Sequence, residues 1–429
     1  MVCPSRRALV VLPALLAACA NTLSPSGPAP DASLDRADAA VALSDAGMPD
    51  VAARADASPA REDASPARED VALPEDRPRV IADVPAPSSD AAAPTPCADV
   101  RLMAAGAPVS HAAITSVAGG YVVAWVLAST GGAVVRGYDE ALVPNTPEVP
   151  LAPPAGGAPP DGLTLAFTGD TGVVAAGSAL HVLTRNAGMI QRTSTLDLAP
   201  RVLRTAWVRG PSDLRAITAD TAMVYSNGAR LTVNAPNDPR VDPLGAGASV
   251  VPDDSGYAAL DDDGGRVRLR SFITGHGVVL QVRDEAGDGP SASRVLSTPG
   301  GLVRLRSDGA REVDVTLETR DPETLALRAL PTTLHAAAAW NRATGALALA
   351  DGALVMAWSA KTPSSGYNQA VQVQWGVDGR RGELFRTEVE RDVRVFAATV
   401  DAGASRAWVL FGERDPAGAH LLRARCFTR

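Results

Sequence analysis

The sequence predicts an all-β fold, a β-propeller of seven blades with six or eight as the alternatives, set behind a long polar leader. Three observations carry that prediction. No stretch after residue 97 sustains a helical period for long. Strand-sized apolar runs, rich in Val, Leu and Ala and punctuated by Gly, Asp and Asn, recur with centres roughly 35 to 55 residues apart, the period of a unit built from several short strands. Two cysteines, Cys97 and Cys426, bracket the region that holds these runs.

The chain begins with a different texture. Arg6 and Arg7 precede an apolar run from Ala8 to about Ala18, interrupted by Pro13 and followed by Cys19. This is the layout of a secretory signal over residues 1–18, and the run is too short to cross a bilayer core, which needs about 20 apolar residues. Ser5, Arg6 and Arg7 look partly like a twin-arginine export signal, although Val10 and Val11 fit the rest of that motif poorly. Leu16, Ala17, Ala18 and Cys19 resemble the lipobox of bacterial lipoproteins. The resemblance implies that Cys19 carries a diacylglyceryl group and becomes the first mature residue. Two or more acyl chains, at ~0.8 kcal/mol per buried methylene, hold a protein stably where one does not. The alternative is an ordinary signal peptide cut nearby, with Cys19 incidental.

Residues 19–96 follow as a tether. From Ala20 to Pro96 the chain is almost all Ala, Asp, Pro, Ser and Arg with no aromatic residue, and it has too little apolar surface to offset the entropy of ordering. It is expected to be disordered and to reach roughly 50 Å on average. The motif DASPARE occurs twice in succession, at Asp56–Glu62 and Asp63–Glu69; a proline in each copy and the lack of an apolar a/d pair argue against a coiled coil. Such Asp/Ala/Pro tethers behind a lipobox resemble those of myxobacterial-type surface lipoproteins, which implies a lipid-anchored place in the cell envelope, on the periplasmic or cell-surface face of the outer membrane. The tether carries 14 acids against 6 arginines, so it accounts for the net charge of −8, and residues 97–429 are close to neutral. A nucleic-acid binder would instead show a basic face.

Seven apolar units then run from residue 97 to 429. Gly119 to Pro144 and Gly352 to Glu383 share one layout: a glycine, an apolar strand ending in Ala-Trp, a polar turn, a second strand, and an aromatic residue shortly before Asp. These units resemble a degenerate bacterial propeller repeat, which implies that the two strands are the middle pair of a four-stranded blade and that Trp125 and Trp358 pack between blades. The Gly-His and Trp-Asp pairs of the WD40 family are missing. Cys97 and Cys426 flank the domain in a chain expected to leave the reducing cytoplasm, and "CADVRLMA" and "HLLRARCF" both read as strands. Pairing of the first strand with the last blade would close the ring and bring the two sulfurs together as a disulfide; two unpaired thiols are the alternative.

A catalytic constellation is not legible. His111, His181, His276, His335 and His420 show no metal-ligand spacing, and neither a nucleophile elbow nor a phosphate loop occurs. Within Leu260 to Arg266, Asp261 and Asp263 supply hard oxygens of the kind that hold calcium, but the twelve-residue loop with its terminal Glu is absent, and a hairpin turn is the competing reading. Trp125, Trp207, Trp340, Trp358, Trp375 and Trp408, about one per unit, read as core rather than as a sugar platform. No cofactor is expected. The functional expectation is a binding or scaffold module for a protein or glycan partner. The alternative is a lyase or glycosidase with carboxylates at the channel mouth, which would need two acids in divergent environments.

Overall fold

In β-strands buried on both faces, side chains alternate between two partners, so such strands read as unbroken apolar runs. "GYVVAWVL", "ALVMAWSAK" and "RAWVLFGER" are runs of this kind, and each is the second strand of a four-stranded sheet. The computed structural model describes residues 93–429 except 103–108, 154–159, 211–212, 221–222, 228–229, 235–243, 245–248, 254–255, 264–265, 274–277, 287–291, 308–311, 322–325, 341–343, 351, 364–366, 388–391, 402, 404 and 415–419. The expected signal peptide over 1–18, the expected lipobox residues Leu16, Ala17 and Ala18 with Cys19, and the expected tether up to residue 92 therefore lie outside the described residues.

The described part opens with β1 (Thr95–Arg101), two residues ahead of Cys97. Blade 1 comprises β2 (Val109–Val117), β3 (Gly120–Leu127), β4 (Ala133–Tyr138) and β5 (Val149–Leu151). Blade 2 comprises β6 (Leu163–Thr168), β7 (Thr171–Ala176), β8 (Ala179–Asn186) and β9 (Met189–Asp197). Blade 3 comprises β10 (Leu203–Gly210), β11 (Asp213–Thr218), β12 (Met223–Asn227) and β13 (Arg230–Asn234). Blade 4 comprises β14 (Ser249–Asp253), β15 (Gly256–Asp263), β16 (Arg266–Ile273) and β17 (Val278–Ala286). Blade 5 comprises β18 (Ala292–Thr298), β19 (Gly301–Ser307), β20 (Glu312–Arg320) and β21 (Thr332–Trp340). Blade 6 comprises β22 (Gly345–Ala350), β23 (Ala353–Lys361), β24 (Asn368–Trp375) and β25 (Arg381–Arg386). Blade 7 comprises β26 (Arg394–Val400), β27 (Arg406–Arg414) and β28 (His420–Thr428), and β1 completes it as the outermost strand.

Every sheet is an antiparallel meander, and the first strands β2, β6, β10, β14, β18, β22 and β26 touch in that order and back to β2, so the ring closes. Seven blades are present among the described residues, as the repeat period predicts. The two matching units also fall where the repeat layout places them: β3–β4 and β23–β24 are the middle strands of blades 1 and 6. The leading glycines Gly119 and Gly352 have φ of 73° and 74°, a left-handed turn conformation that favours glycine. A Cβ on Gly120 would run into the Tyr138 carbonyl oxygen.

The core is a series of interblade layers sorted by the period of two. Tyr121, Val123 and Trp125 of β3 pack against Trp408, Leu410 and Cys426 of blade 7, whereas Val122, Ala124 and Val126 pack against Leu165, Val174 and Ala176 of blade 2. Met356 and Trp358 of β23 meet Val303, Leu305 and Leu317 of blade 5, while Val355 and Ala357 turn to blade 7. Trp125 and Trp358 thus pack between blades, and Trp207, Trp375 and Trp408 are buried too.

Closure joins the two ends of the domain. β1 pairs antiparallel with β28, and the register steps from Pro96 opposite Phe427 to Ala98 opposite Cys426, so Cys97 sits at a bulge beside Cys426. The two cysteines stand at disulfide distance, with Cα atoms 5.3 Å apart across 329 positions. Asp99 of β1 accepts from Arg423 Nη2 and Arg425 Nη2, both at 2.6 Å, and Arg423 Nη1 also reaches Glu413 at 2.7 Å.

Candidate functional site

The site is built on the face that blade 6 turns toward blade 5. Across that face the rows run Met356–Gln374–Arg381, Trp358–Gln372–Glu383 and Ala360–Ala370–Arg386. The inner strand supplies apolar side chains that fill the interblade layer, β24 supplies Gln372 and Gln374 beside Ala370, and β25 supplies the charges. A bulge makes the outer end charged throughout. The pairing steps from Val371 opposite Phe385 to Gln372 opposite Glu383, so Leu384 is the extra residue in β25. It brings Arg386 onto the same face as Arg381 and Glu383, while Phe385 turns to the blade 7 side.

Between these strands and β21 lies a cavity of about 610 Å³, lined by His335, Ala337, Lys361, Pro363, Gln372, Arg381, Glu383 and Arg386. The β20–β21 ladder is irregular on both sides of the Val315–His335 pair, and Ala337 adopts a φ of 45° with its N–H donating to Asp314 Oδ1 at 2.7 Å. That kink sets His335 over the groove. Trp358 Nε1 donates to His335 Nδ1 at 3.4 Å, and the rings meet edge to face at 6.3 Å. With Nδ1 accepting, the neutral ring keeps its proton on Nε2. Burial, reinforced by the charge of Arg381 and opposed by Asp314, pushes the His335 pKa down to about 4, so the ring is uncharged at neutral pH.

Glu383 is fully engaged as an acceptor. Arg386 grips it through Nε at 2.9 Å and Nη2 at 2.6 Å, and Gln372 Nε2 reaches it at 3.3 Å. Hydrogen bonding to Glu383 raises the Arg386 pKa. Arg381 differs: it keeps exposed surface, yet the protein packed beside it lowers its pKa through lost hydration, and among the described residues no carboxylate pairs with it. Among the described residues, the lining carries the cationic side chains Lys361, Arg381 and Arg386 and the carboxylate of Glu383.

Of the residues singled out from sequence, Cys97 and Cys426 are brought together at ring closure, far along the chain from the groove. Asp261 and Asp263 fall on β15 opposite Arg268 and Arg266, so Leu260 to Arg266 runs through a hairpin; the two aspartate side chains lie outside the described residues. The lining set of the groove was not legible in the sequence, apart from His335, one of the five histidines without metal-ligand spacing. Along the seven innermost strands the sequence supplies a single carboxylate, Asp253.

Seven four-stranded meanders in a ring, closed by the first strand, define a β-propeller with a charged groove at one interblade edge. Among solved structures, the chain is similar to the β-propeller domain of Cps50 (Swd1) from Myceliophteria thermophila, with 12% identity over 78% of this chain and 99% of that one and a TM-score of 0.50. It also aligns with YCF48 bound to D1 peptide, at 10% identity over 80% and 98% of the two chains and a TM-score of 0.49. YCF48 from Cyanidioschyzon merolae aligns at 10% identity over 78% and 99%, with a TM-score of 0.46. At such identities a likeness reports the fold alone. No family model matches the chain, and no curated protein matches it.

Proposed function

We propose that the chain is an exported lipoprotein, anchored through Cys19 in the cell envelope, whose propeller over 97–429 serves as a binding or scaffold module for a protein or glycan partner. The observation that carries the binding half is the groove between blades 5 and 6. Its one lining carboxylate, Glu383, is already occupied as an acceptor by Arg386 and Gln372. A glycosidase or lyase site calls for a pair of acids in divergent environments, and this groove favours recognition instead. Two sequence features and one geometric fact support the envelope half: the signal over 1–18, the run Leu16–Ala17–Ala18–Cys19, and a cysteine pair at disulfide distance, which suits an oxidising compartment.

Fractionation of cells producing the Cys19→Ala variant tests the anchor. Loss of acylation should move the protein from the membrane fraction to the soluble one, because acyl chains supply the binding energy. A variant that stays membrane-bound through a high-salt wash contradicts the lipoprotein reading.

A further inference from the structure

We infer that one face of the ring, the face that carries the turns from third to fourth strands, docks on a lipid surface, the bilayer in which Cys19 is anchored. This deepens the anchored-module reading and rests on it.

The topology sorts the turns. Each blade is a meander of four strands, an even number, so it hands the chain on at the face where the chain entered. Turns from a first to a second strand and from a third to a fourth therefore open on one face, and turns from a second to a third on the other. Contacts between turns agree: Arg185 Nη1, near the end of β8, donates to the Ala118 carbonyl between β2 and β3 at 2.6 Å, and Arg328 Nη1, between β20 and β21, donates to the Gly300 carbonyl between β18 and β19. β1, in the fourth position of blade 7, starts at this same face. Thr428 Oγ1 donates to the Thr95 carbonyl at 3.4 Å, and the Arg429 N–H donates to the Ser405 carbonyl between β26 and β27 at 3.3 Å.

On that face stand five of the six large apolar side chains exposed among the described residues: Val143 between β4 and β5, Met189 at the start of β9, Leu327 and Leu330 between β20 and β21, and Val377 between β24 and β25. The sixth, Tyr367, lies between β23 and β24 at the opposite face. Leu330 is 85% exposed and Val143 55%. Single apolar side chains scattered over a surface are ordinary, whereas a one-sided set marks a contact. The blades concerned are 5, 6, 1 and 2, and the ring order 5, 6, 7, 1, 2 makes them an arc with its middle at blade 7, where the described chain enters.

The turns hold these tips outward. Asp139 Oδ1 accepts from the N–H groups of Ala141 and Val143 at 2.9 and 2.8 Å, Arg328 Nη2 reaches Asp321 at 3.0 Å, and Gln374 Nε2 donates to the carbonyls of Gly376 and Val377 at 3.0 and 2.8 Å. Met189 follows the two-residue turn Ala187–Gly188, both with positive φ. Tips ordered before contact lower its cost.

A bilayer fits this layout. Single aliphatic tips on separate turns, spread over four blades, match a plane, and they gain from the acyl region without any contour to complement. Asp139, Glu140 and Asp378 stand on these turns beside Arg328 and Arg380, so the apolar tips rather than a field of one sign make the contact. The segment leading from Cys19 enters at the middle of the arc, so this is the face whose approach stretches that segment least. Its reach of roughly 50 Å keeps the domain at high effective concentration near the surface. A few tips on short turns do not hold the chain without the acyl chains, which is why Cys19→Ala is still expected to leave the membrane.

Tryptophan reporters test the face. The lipidated full-length chain is placed in phosphatidylcholine vesicles with and without lipids brominated on their acyl chains, which quench an indole that enters the acyl region. In Leu330→Trp and Val377→Trp the added indole, read as the difference from the parent, should lose at least half of its emission to brominated lipid. In Tyr367→Trp, on the opposite face, it should lose none. Val143→Asp combined with Leu330→Asp should reduce the quenching of Val377→Trp several-fold. Each variant's melting temperature shows that it folds. The inference is overturned if Leu330→Trp and Val377→Trp, folded and membrane-attached, are quenched no more than Tyr367→Trp. It is equally overturned if the emission of Leu330→Trp shifts with protein concentration in the absence of vesicles, since a second copy then covers the face. Absent quenching with Cys19→Ala still released removes the face and leaves the anchor standing; Leu330→Trp that stays membrane-bound and quenched in the Cys19→Ala background removes the anchor and leaves the face.

Discussion

His181 of β8 is fully enclosed, with Nδ1 3.0 Å from Thr195 Oγ1. Burial, aided by the charge of Arg192, pushes its pKa down to about 4 from an ordinary value of 6.5, so the fold accepts the neutral ring and resists the charged one. The unfolded chain then binds a proton at a pH where the folded one does not, and stability rises with pH across that window. Its contribution is complete above about pH 6.5 and is lost as pH falls toward 4, a change on the order of 3 kcal/mol for one fully buried ring. Thermal midpoints measured from pH 7.5 to 4 should therefore fall less steeply for His181→Leu than for the parent. Equal slopes would show that the ring is already hydrated in the folded protein.

Between neighbouring strands of blade 5, Glu318 of β20 collects three arginines. Arg304 Nη1 lies at 3.2 Å, Arg306 Nη1 at 3.1 Å and Arg320 Nη2 at 2.9 Å, and Arg304, Arg320 and Glu318 are almost entirely buried. Arg304 is the direct cross-strand partner of Glu318, and the cluster occupies the face of blade 5 opposite Val303, Leu305 and Leu317. A buried charge cluster stripped of its shared counter-ion is costly, so Glu318→Gln should destabilise the domain by about 3–5 kcal/mol in a denaturant titration, whereas a surface exchange such as Glu148→Gln should cost under about 1 kcal/mol. The contrast between these elements explains what the sequence makes legible. Alternation along β3, β23 and β27 follows a strict period of two and is read directly, and with it the blade and the interblade tryptophans. In "RGELFR" the same rule fails: a regular strand would put Arg386 on the face with Gly382 and Leu384, away from Arg381. The bulge opposite Val371 and Gln372 reverses that, and nothing in six residues of one strand announces a register step set by its neighbour. The groove was hidden for a second reason, since His335 reaches it from another blade, over a kink in β21.

Closure is the property of the whole molecule. Contacts inside each blade are local meanders, and adjacent blades share apolar layers, but the ring is completed by one non-local act: β1 leaves the start of the domain to become the outer strand of blade 7. There it is held by the β28 ladder, by Asp99 between Arg423 and Arg425, and by Pro94, whose Cδ would lie 3.1 Å from a Cβ on Gly382 of β25. A covalent link between Cys97 and Cys426 would tie ends 329 positions apart, for which loop entropy sets an upper bound of about 5–6 kcal/mol. The bond requires an oxidising compartment, so its presence in protein taken from cells reports on export and on ring closure together. Mass spectrometry of the unreduced protein, purified from the cell envelope with free thiols blocked at lysis, is the most direct measurement. Peptides containing Cys97 and Cys426 should be recovered linked to each other, and reduction should separate them and lower the thermal midpoint. Recovery of both cysteines as blocked free thiols would contradict an exported propeller closed by its first strand.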